Sequence, residues 1–303
     1  MRHVPVLLTE ILDALQLKPG SNVIDCTLGD AGHSEEILKL TAPDGKLLGI
    51  DADVEAILRA KQYLYEFEDR IVLVRNNFTD LKKIVEENKF VAVEGVLMDF
   101  GWSSPQFEER GRGFSFKNET EPLDMRYDNN QSNAITAEYL LNDYSVDELK
   151  RIFVKYGEER FAKDVAVGIV NFRKKRDIKI VGDLVNIILE VYRKKLKTEK
   201  EVPWVGGLHP ATKVFQALRM VVNNELKVIE NVLPQAVEVL STGGRLLVIT
   251  FHSLEDSIVK HYFKSQSGKT IKIINKKPII ATEEEVKNNP RARSAKLRII
   301  EKI

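Results

Sequence analysis

The chain has 303 residues, 43% apolar and 30% charged, the composition of a soluble globular protein with one large or two modest domains. Collagenous, disordered and membrane-embedded classes are excluded, and the single cysteine, Cys26, cannot close an internal bridge, so a reducing, cytosolic compartment is expected. Lysine plus arginine (46) balance aspartate plus glutamate (45) only in sum: residues 1–106 carry 11 basic and 18 acidic side chains, 107–210 carry 19 and 18, and 211–303 carry 16 and 9.

At the N-terminus the apolar run Val4 to Leu8 stops at Thr9 and Glu10, too short for a signal-peptide core, and a helix is expected over 5–15. Short β-branched runs then alternate with helical patterns. Strands are predicted at 22–26, 46–51, 71–75 and 95–100, with crossover helices at 35–40, 54–67 and 79–87. This is the pattern of a parallel sheet buried on both faces. From Ser103 to Asn133 no periodicity survives, which reads as a long functional loop. Helical spacing takes over from Ala134 to Lys197, opened in part by the capping-box pair Ser145 and Glu148 and ending one helix in the run Arg173 to Arg176, where cations suit the helix dipole. A long helix from Thr212 to about Leu240, disturbed at Pro234, precedes a strand at 245–251. Two last strands, 270–275 and 296–302, lack a full crossover between them and suit an antiparallel edge. The expected architecture is a mixed α/β sheet built from residues 1–106 and 211–303, with 107–210 inserted as a helical lid. No transmembrane segment is seen.

The first predicted strand ends in Asp25-Cys26-Thr27-Leu28-Gly29-Asp30-Ala31-Gly32-His33-Ser34, a turn at the carboxyl edge of a sheet, where open α/β folds bind ligands. A dinucleotide fingerprint would need glycine where Ala31 and Ser34 stand, and Asp30, Glu35 and Glu36 would repel a pyrophosphate at the helix start. Those acids suit a phosphate-free cofactor with positive charge, of which S-adenosylmethionine is the common one. Asp51, ending the second strand, is the expected ribose ligand, with capping of the next helix as the alternative. Asn77 and Phe78 follow the third strand and would lie near adenine, although such a Phe is equally a core residue.

Nine segments together resemble the bacterial small-subunit ribosomal RNA cytosine-N4 methyltransferases. They are His3 to Leu8, Asp25 to Ser34, Met98 to Gln106, Arg112 to Phe116, Pro122 to Arg126, Tyr156 to Ala162, His209 to Thr212, Phe251 to Asp256 and Asn289 to Ser294. The resemblance spans nearly the whole chain. It implies a class I methyltransferase (Rossmann-like) mixed sheet with an inserted all-helical domain, S-adenosylmethionine as cofactor, and a cytidine near the ribosomal decoding site as acceptor. Carried over to this sequence, the cofactor contacts would be the Ala31, Gly32 and His33 backbone turn, Asp51, Phe78, Asp99 and Gln106. Three positions depart from the family pattern: Asp30 and Ala31 replace a basic residue and a glycine, and Trp102 replaces a small aliphatic residue.

Methyl transfer to an exocyclic amine needs positioning more than a nucleophilic side chain, and a carboxylate such as Asp99 can orient the amine as well as touch cofactor. Trp102, Phe114 and Phe116 are candidate surfaces for an unstacked base, with packing as the alternative for each Phe. His252, Glu255 and Asp256 follow the fifth strand and can face the same cleft, and no zinc-type spacing appears, so no metal is expected. In the basic C-terminal third, Arg291, Arg293, Lys296 and Arg298 read as a phosphate footprint or as residues paired with Glu283–Glu285. Two rival readings stay open: a small-molecule methyltransferase, which leaves the basic third unused, and a non-catalytic RNA-binding assembly factor, which leaves Asp51 and the acidic turn unused.

Overall fold

The computed structural model describes residues 4–100, 111–127, 135–198 and 208–303. Trp102 and Gln106 lie outside these residues. The chain divides into two compact units, Met1–Trp102 with Leu226–Ile303, and Ser103–Glu225.

The first unit is a seven-stranded sheet of order β3-β2-β1-β4-β5-β7-β6. Its strands are β1 (Asn22–Asp25), β2 (Leu47–Asp51), β3 (Ile71–Arg75), β4 (Val93–Asp99), β5 (Leu240–Thr250), β6 (Ile271–Ile273) and β7 (Lys296–Lys302). β1 to β5 pair in parallel, and β7 runs antiparallel to both β5 and β6, as the missing crossover implied. The strand order reverses between β1 and β4, the switch point at which ligands enter open sheets. This is the class I methyltransferase mixed sheet, doubly covered because successive residues of each strand serve opposite faces.

Val23, Leu47, Leu97, Leu247, Ile249, Leu297 and Ile299 pack on one side against Ile11 and Leu15 of α1 (Leu8–Leu15), Ile37 and Leu38 of α2 (Gly32–Leu40) and Ala60 of α3 (Val54–Tyr63). Their neighbours Ile24, Leu48, Val96, Met98, Leu246, Val248 and Ile300 pack on the other side. There they meet α4 (Leu81–Glu87) and two helices reached later in the chain, Glu225–Val239 and Ser253–Gln266. Truncating a residue as completely buried as Leu97 to alanine would cost about 2–5 kcal/mol. The helix expected over 54–67 is shorter, because it ends at Tyr63 and passes into a 3-10 turn over Tyr65–Arg70.

The second unit is helical: α5 (Ala137–Asp143), α6 (Val146–Gly157), α7 (Ala162–Arg173), α8 (Val181–Leu196) and α9 (Thr212–Val222). The expected capping box of Ser145 and Glu148 opens α6, and α7 ends at Arg173, whose guanidinium donates to the Leu141 carbonyl at 2.7 Å. Ahead of α5, and within the stretch expected to be loop, residues 111–127 form no helix or strand but are anchored, with Leu123 and Met125 fully buried in the helical core. Two expectations are corrected here. The helix from Thr212 is interrupted at Asn223 and Asn224, where Asn224 takes φ 52°, and α10 (Glu225–Val239) then runs through Pro234 without a break. The inserted unit also extends to Glu225 instead of 210, because Val214, Phe215, Ala217 and Leu218 of α9 bury their side chains in its core. Ser253–Gln266 is α11, and a short α12 spans Glu283–Asn288. Among the described residues no helix is long and apolar enough to cross a membrane.

Candidate active site

The carboxyl ends of β1, β2 and β4 are stitched together by backbone and side-chain bonds. Leu28 N–H donates to the Ile50 carbonyl at 3.0 Å, and Asp99 N–H donates to Thr27 Oγ1 at 2.7 Å, so the turn after β1 is held from both neighbours. Inside that turn Gly29 and Ala31 both take positive φ, 51° and 56°. The second is the finding the sequence left open: Ala31 adopts the left-handed conformation where glycine would be unstrained, at about 1–2 kcal/mol. Complete burial in the apolar cluster under the turn holds it there.

Ala31 is the N-cap of α2 and its methyl side chain offers no acceptor to the first-turn N–H groups of α2. Such an end suits a carboxylate, as the amino-acid part of S-adenosylmethionine has. The acids around it are paired. Arg59 Nε donates to Asp30 Oδ1 at 2.8 Å, and Lys39 Nζ lies 2.7 Å from Glu35 and 2.8 Å from Glu36. The turn is therefore less negative than three acids in sequence suggested, and the repulsion argument against phosphate weakens accordingly.

Asp51 at the end of β2 accepts Gly29 N–H on one carboxylate oxygen (2.9 Å) and Asp53 N–H on the other (2.8 Å). The cap of α3 is a different acid, Asp53, which accepts from Glu55 and Ala56 N–H. That removes the capping alternative for Asp51. A carboxylate can accept about four hydrogen bonds, and the two named here set its orientation at the edge of the turn. Phe78 is half-buried and stacks on Phe100 with ring centroids 6.0 Å apart. Asn77, expected near adenine, uses its side chain locally to accept from Thr79 N–H at 3.0 Å.

Sequence reasoning missed the buried end of β1. Asp25 accepts Ser34 Oγ–H at 2.6 Å and Thr27 N–H at 3.1 Å, which ties strand, turn and α2 into one unit. Burial raises its pKa, opposed by the Ser34 hydroxyl, the nearby His33 and the Thr27 bonds. A strand-end Asp followed nine positions later by a helix-start Ser was the available signal. Cys26 beside it is an inert core thiol, pushed well up by burial and then by Asp25.

His33 turns its ring away from any ligand role: Nε2–H donates to the Val6 carbonyl at 2.9 Å. His252 is the N-cap of α11, with Nδ1 accepting Glu255 N–H at 3.4 Å. Glu255, almost fully buried, accepts from Phe251 N–H at 2.8 Å. In the helical unit Phe114 stacks on Tyr127 (5.7 Å) and Phe116 on His209 (4.4 Å, 8° between planes), so one face of each ring is already covered. Lys296 and Arg298 are corrected from phosphate ligands to partners of Asp256. Arg298 is buried and donates to it from Nε at 2.6 Å and Nη2 at 3.0 Å. Arg293 is exposed and makes no ion pair among the described residues, and Arg291 is half-buried in the same 3-10 turn, Pro290–Ser294.

Known proteins match this chain end to end. The family model described as the MraW methylase family covers residues 1–303. Proteins named ribosomal RNA small subunit methyltransferase H from Heliobacterium mobile and Dictyoglomus thermophilum are each 44% identical, covering 99% of this chain and 99% and 96% of their own lengths. One of the same name from Clostridioides difficile is 42% identical over 99% of both. With the family model matching residues 1–303 and relatives 42–44% identical over 99% of its length, the chain belongs to the MraW methylase family.

Proposed function

We propose that this chain transfers a methyl group from S-adenosylmethionine to the N4 amine of a cytidine in small-subunit ribosomal RNA, near the decoding site. The observation that carries the chemistry is the joining of Asp51 and Asp99 to one turn, through Gly29 N–H and Thr27 Oγ1. Family membership and the names of the relatives support the acceptor.

When bound, S-adenosylmethionine supplies a methyl group that is already electrophilic, so the protein's task is alignment. Asp51 would hold the ribose hydroxyls, the Ala31–Gly32–His33 backbone the amino-acid carboxylate, and Phe78 one face of the adenine. Asp99 accepts an N–H bond from the cytosine amine, which draws the nitrogen lone pair out of the ring as the new bond to carbon forms. Gln106 would add a cofactor contact, and Trp102 a stacking surface. Phe114 and Phe116 would serve an unstacked base in the same way. His252 lies at the α11 start for contact with the substrate, and Arg291 and Arg293 bind RNA phosphates. No step calls for a metal. The inserted helical unit would contribute to RNA binding, and a ribosomal substrate fits a cytoplasmic protein.

The experiment is to incubate the protein with methyl-labelled cofactor and, separately, small subunits, free ribosomal RNA and whole ribosomes, then digest the RNA and map the label. Label in N4-methylcytidine at one position supports the proposal. RNA without label from a protein that binds cofactor would favour a small-molecule methyltransferase, and a protein that binds RNA but no cofactor would be an assembly factor.

A further inference from the structure

Two sequence segments that the chemistry does not use directly meet beside the cofactor turn. Residues Val4 to Leu7 form a strap that turns into α1 at Val6 and Leu7, both almost fully buried. On one side the strap lies on the start of α2. Pro5 sits so close over Gly32 that a Cβ there would stand 2.5 Å from Pro5 Cγ, and Val6 O accepts the His33 ring N–H at 2.9 Å. On the other side it is held by the C-terminal segment: Leu7 N–H donates to Glu285 Oε1 at 2.7 Å, and Asn289 Nδ2 donates to Val4 O at 3.2 Å. Leu7 has φ 54°, a costly conformation for a leucine that needs its surroundings to hold it. Ala31, Val6, Leu7 and Ala292 belong to one apolar cluster, so the strap, the turn and the C-terminal segment share a packed core.

We propose that Glu285 and Asn289 are positioning residues for the cofactor turn: by holding the strap they keep Pro5 and Val6 pressed on Gly32 and His33. Affinity for the cofactor is thereby set in part by a segment more than 250 positions away in sequence. Gly32 is glycine because proline approaches its Cα, and its backbone there is ordinary helix with no positive φ. His33 contributes its backbone to the turn and its ring to the strap. The inference rests on the reading that the Ala31–His33 turn holds S-adenosylmethionine.

The test uses the full chain and titrates S-adenosylhomocysteine by calorimetry. Loss of one of these hydrogen bonds in Glu285→Ala or Asn289→Ala should weaken binding about three- to tenfold. Glu285→Gln, which keeps an acceptor oxygen, should stay near wild type. KM for S-adenosylmethionine should rise in proportion while kcat and KM for RNA hold, a split that general destabilisation would not produce. In the ligand-free protein, amides of residues 29–34 should exchange faster in the same variants. Pro5→Ala should weaken binding similarly, and combining it with Glu285→Ala should add little, because both act through one strap. Additive losses, or wild-type affinity and exchange in the folded variants, would overturn the proposal. Should Glu285→Ala not fold, Asn289→Asp removes one donor at nearly constant size and decides by the same readouts. Asp51→Ala separates the two readings. If it binds normally the cofactor site is misplaced, and exchange at residues 29–34 still judges the strap. If it binds weakly while Glu285→Ala and Asn289→Ala do not, the strap alone is wrong.

Discussion

Arg59 Nε donates to Asp30 Oδ1 at 2.8 Å, joining α3 to the middle of the turn that follows β1. The same guanidinium lies 3.8 Å from Asp53, whose N–H in turn bonds Asp51, and Asp51 accepts from Gly29 beside Asp30. The contacts close a ring through turn, strand end and helix cap, so Asp30, one of the two turn positions that depart from the family pattern, works here as one half of an ion pair. A partly exposed pair of this kind contributes about 0.2–1 kcal/mol. Arg59→Met should therefore weaken S-adenosylhomocysteine binding by no more than about fivefold, and the exchanged pair Asp30→Arg with Arg59→Asp should recover most of it. Failure of the exchange to recover anything would mean that Arg59 acts through some other contact.

Asp51 and Asp53 are two residues apart and do different work, which substitutions can separate. Asp51→Ala removes a charged acceptor for two ribose hydroxyls, each bond being worth roughly 1.5–3 kcal/mol, and cofactor affinity should fall by well over tenfold. Asp53→Ala removes the α3 cap at about 1 kcal/mol of stability and should leave affinity much closer to wild type. Calorimetry in which the two variants bind equally well would take Asp51 out of the site.

Much of the sheet was readable because its physics is local. Ile71–Arg75 and Lys296–Lys302 have the bounds their sequence suggested, since each is a short run rich in apolar residues that packs into the sheet between turn residues. The break at Asn223–Asn224 was not read, because an asparagine pair inside an apolar helical period carries little local signal, whereas Pro234 is conspicuous yet tolerated in α10. The strap was invisible for a different reason. Leu7 and Glu285 are 278 positions apart, and no periodicity relates a backbone N–H to a side chain that distant. Charge counting misled at Arg298, because β7 turns that side chain inward to Asp256 while Leu297 and Ile299 serve the opposite face. At the candidate site, the place of Asp51 at a strand end was legible, but the α3 cap could be assigned to Asp53 only once the α3 start was seen.

Asp99→Asn separates orientation from charge. The amide keeps an acceptor oxygen and the backbone bond to Thr27, but loses the stronger pull of a carboxylate on the amine proton. Turnover should fall more than cofactor affinity. Equal losses in kcat and in binding would leave Asp99 as a cofactor ligand only.

His209 makes the 111–127 segment pH-sensitive. Burial lowers its pKa below the usual 6.5, its Nδ1 accepts Ala211 N–H at 3.2 Å, and its ring stacks on Phe116. The fold therefore favours neutral imidazole. That contribution is complete above pH 6.5, and is lost as pH falls through 6.5 and then through the lower folded value. Protection factors at residues 113–117, which remove the intrinsic pH dependence of amide exchange, should fall as pH drops from 7.5 to 5.5 in the wild type. His209→Asn, which has no titrating ring, should flatten that change, and an identical pH response in the variant would assign it elsewhere.

The C-terminal basic residues divide into two pairs with opposite expectations. Arg298 and Lys296 are committed to Asp256, and breaking the buried Arg298 pair by Arg298→Ala should cost up to about 3–5 kcal/mol. It should leave the salt dependence of RNA binding unchanged in protein that stays folded. Arg291 and Arg293 occupy the 3-10 turn after α12. Glu285, one of the acids that might have neutralised them, instead accepts the strap's Leu7 N–H. Replacing both arginines by alanine should remove up to two phosphate contacts and flatten the log–log salt slope by roughly 1–2 units. Cofactor affinity should change little. The decisive comparison is between the two sets at several salt concentrations, because lost charge on a phosphate contact changes the slope while lost internal pairing changes only stability. A double variant that is folded, binds cofactor and keeps the wild-type slope would show that the RNA backbone is held by some other surface.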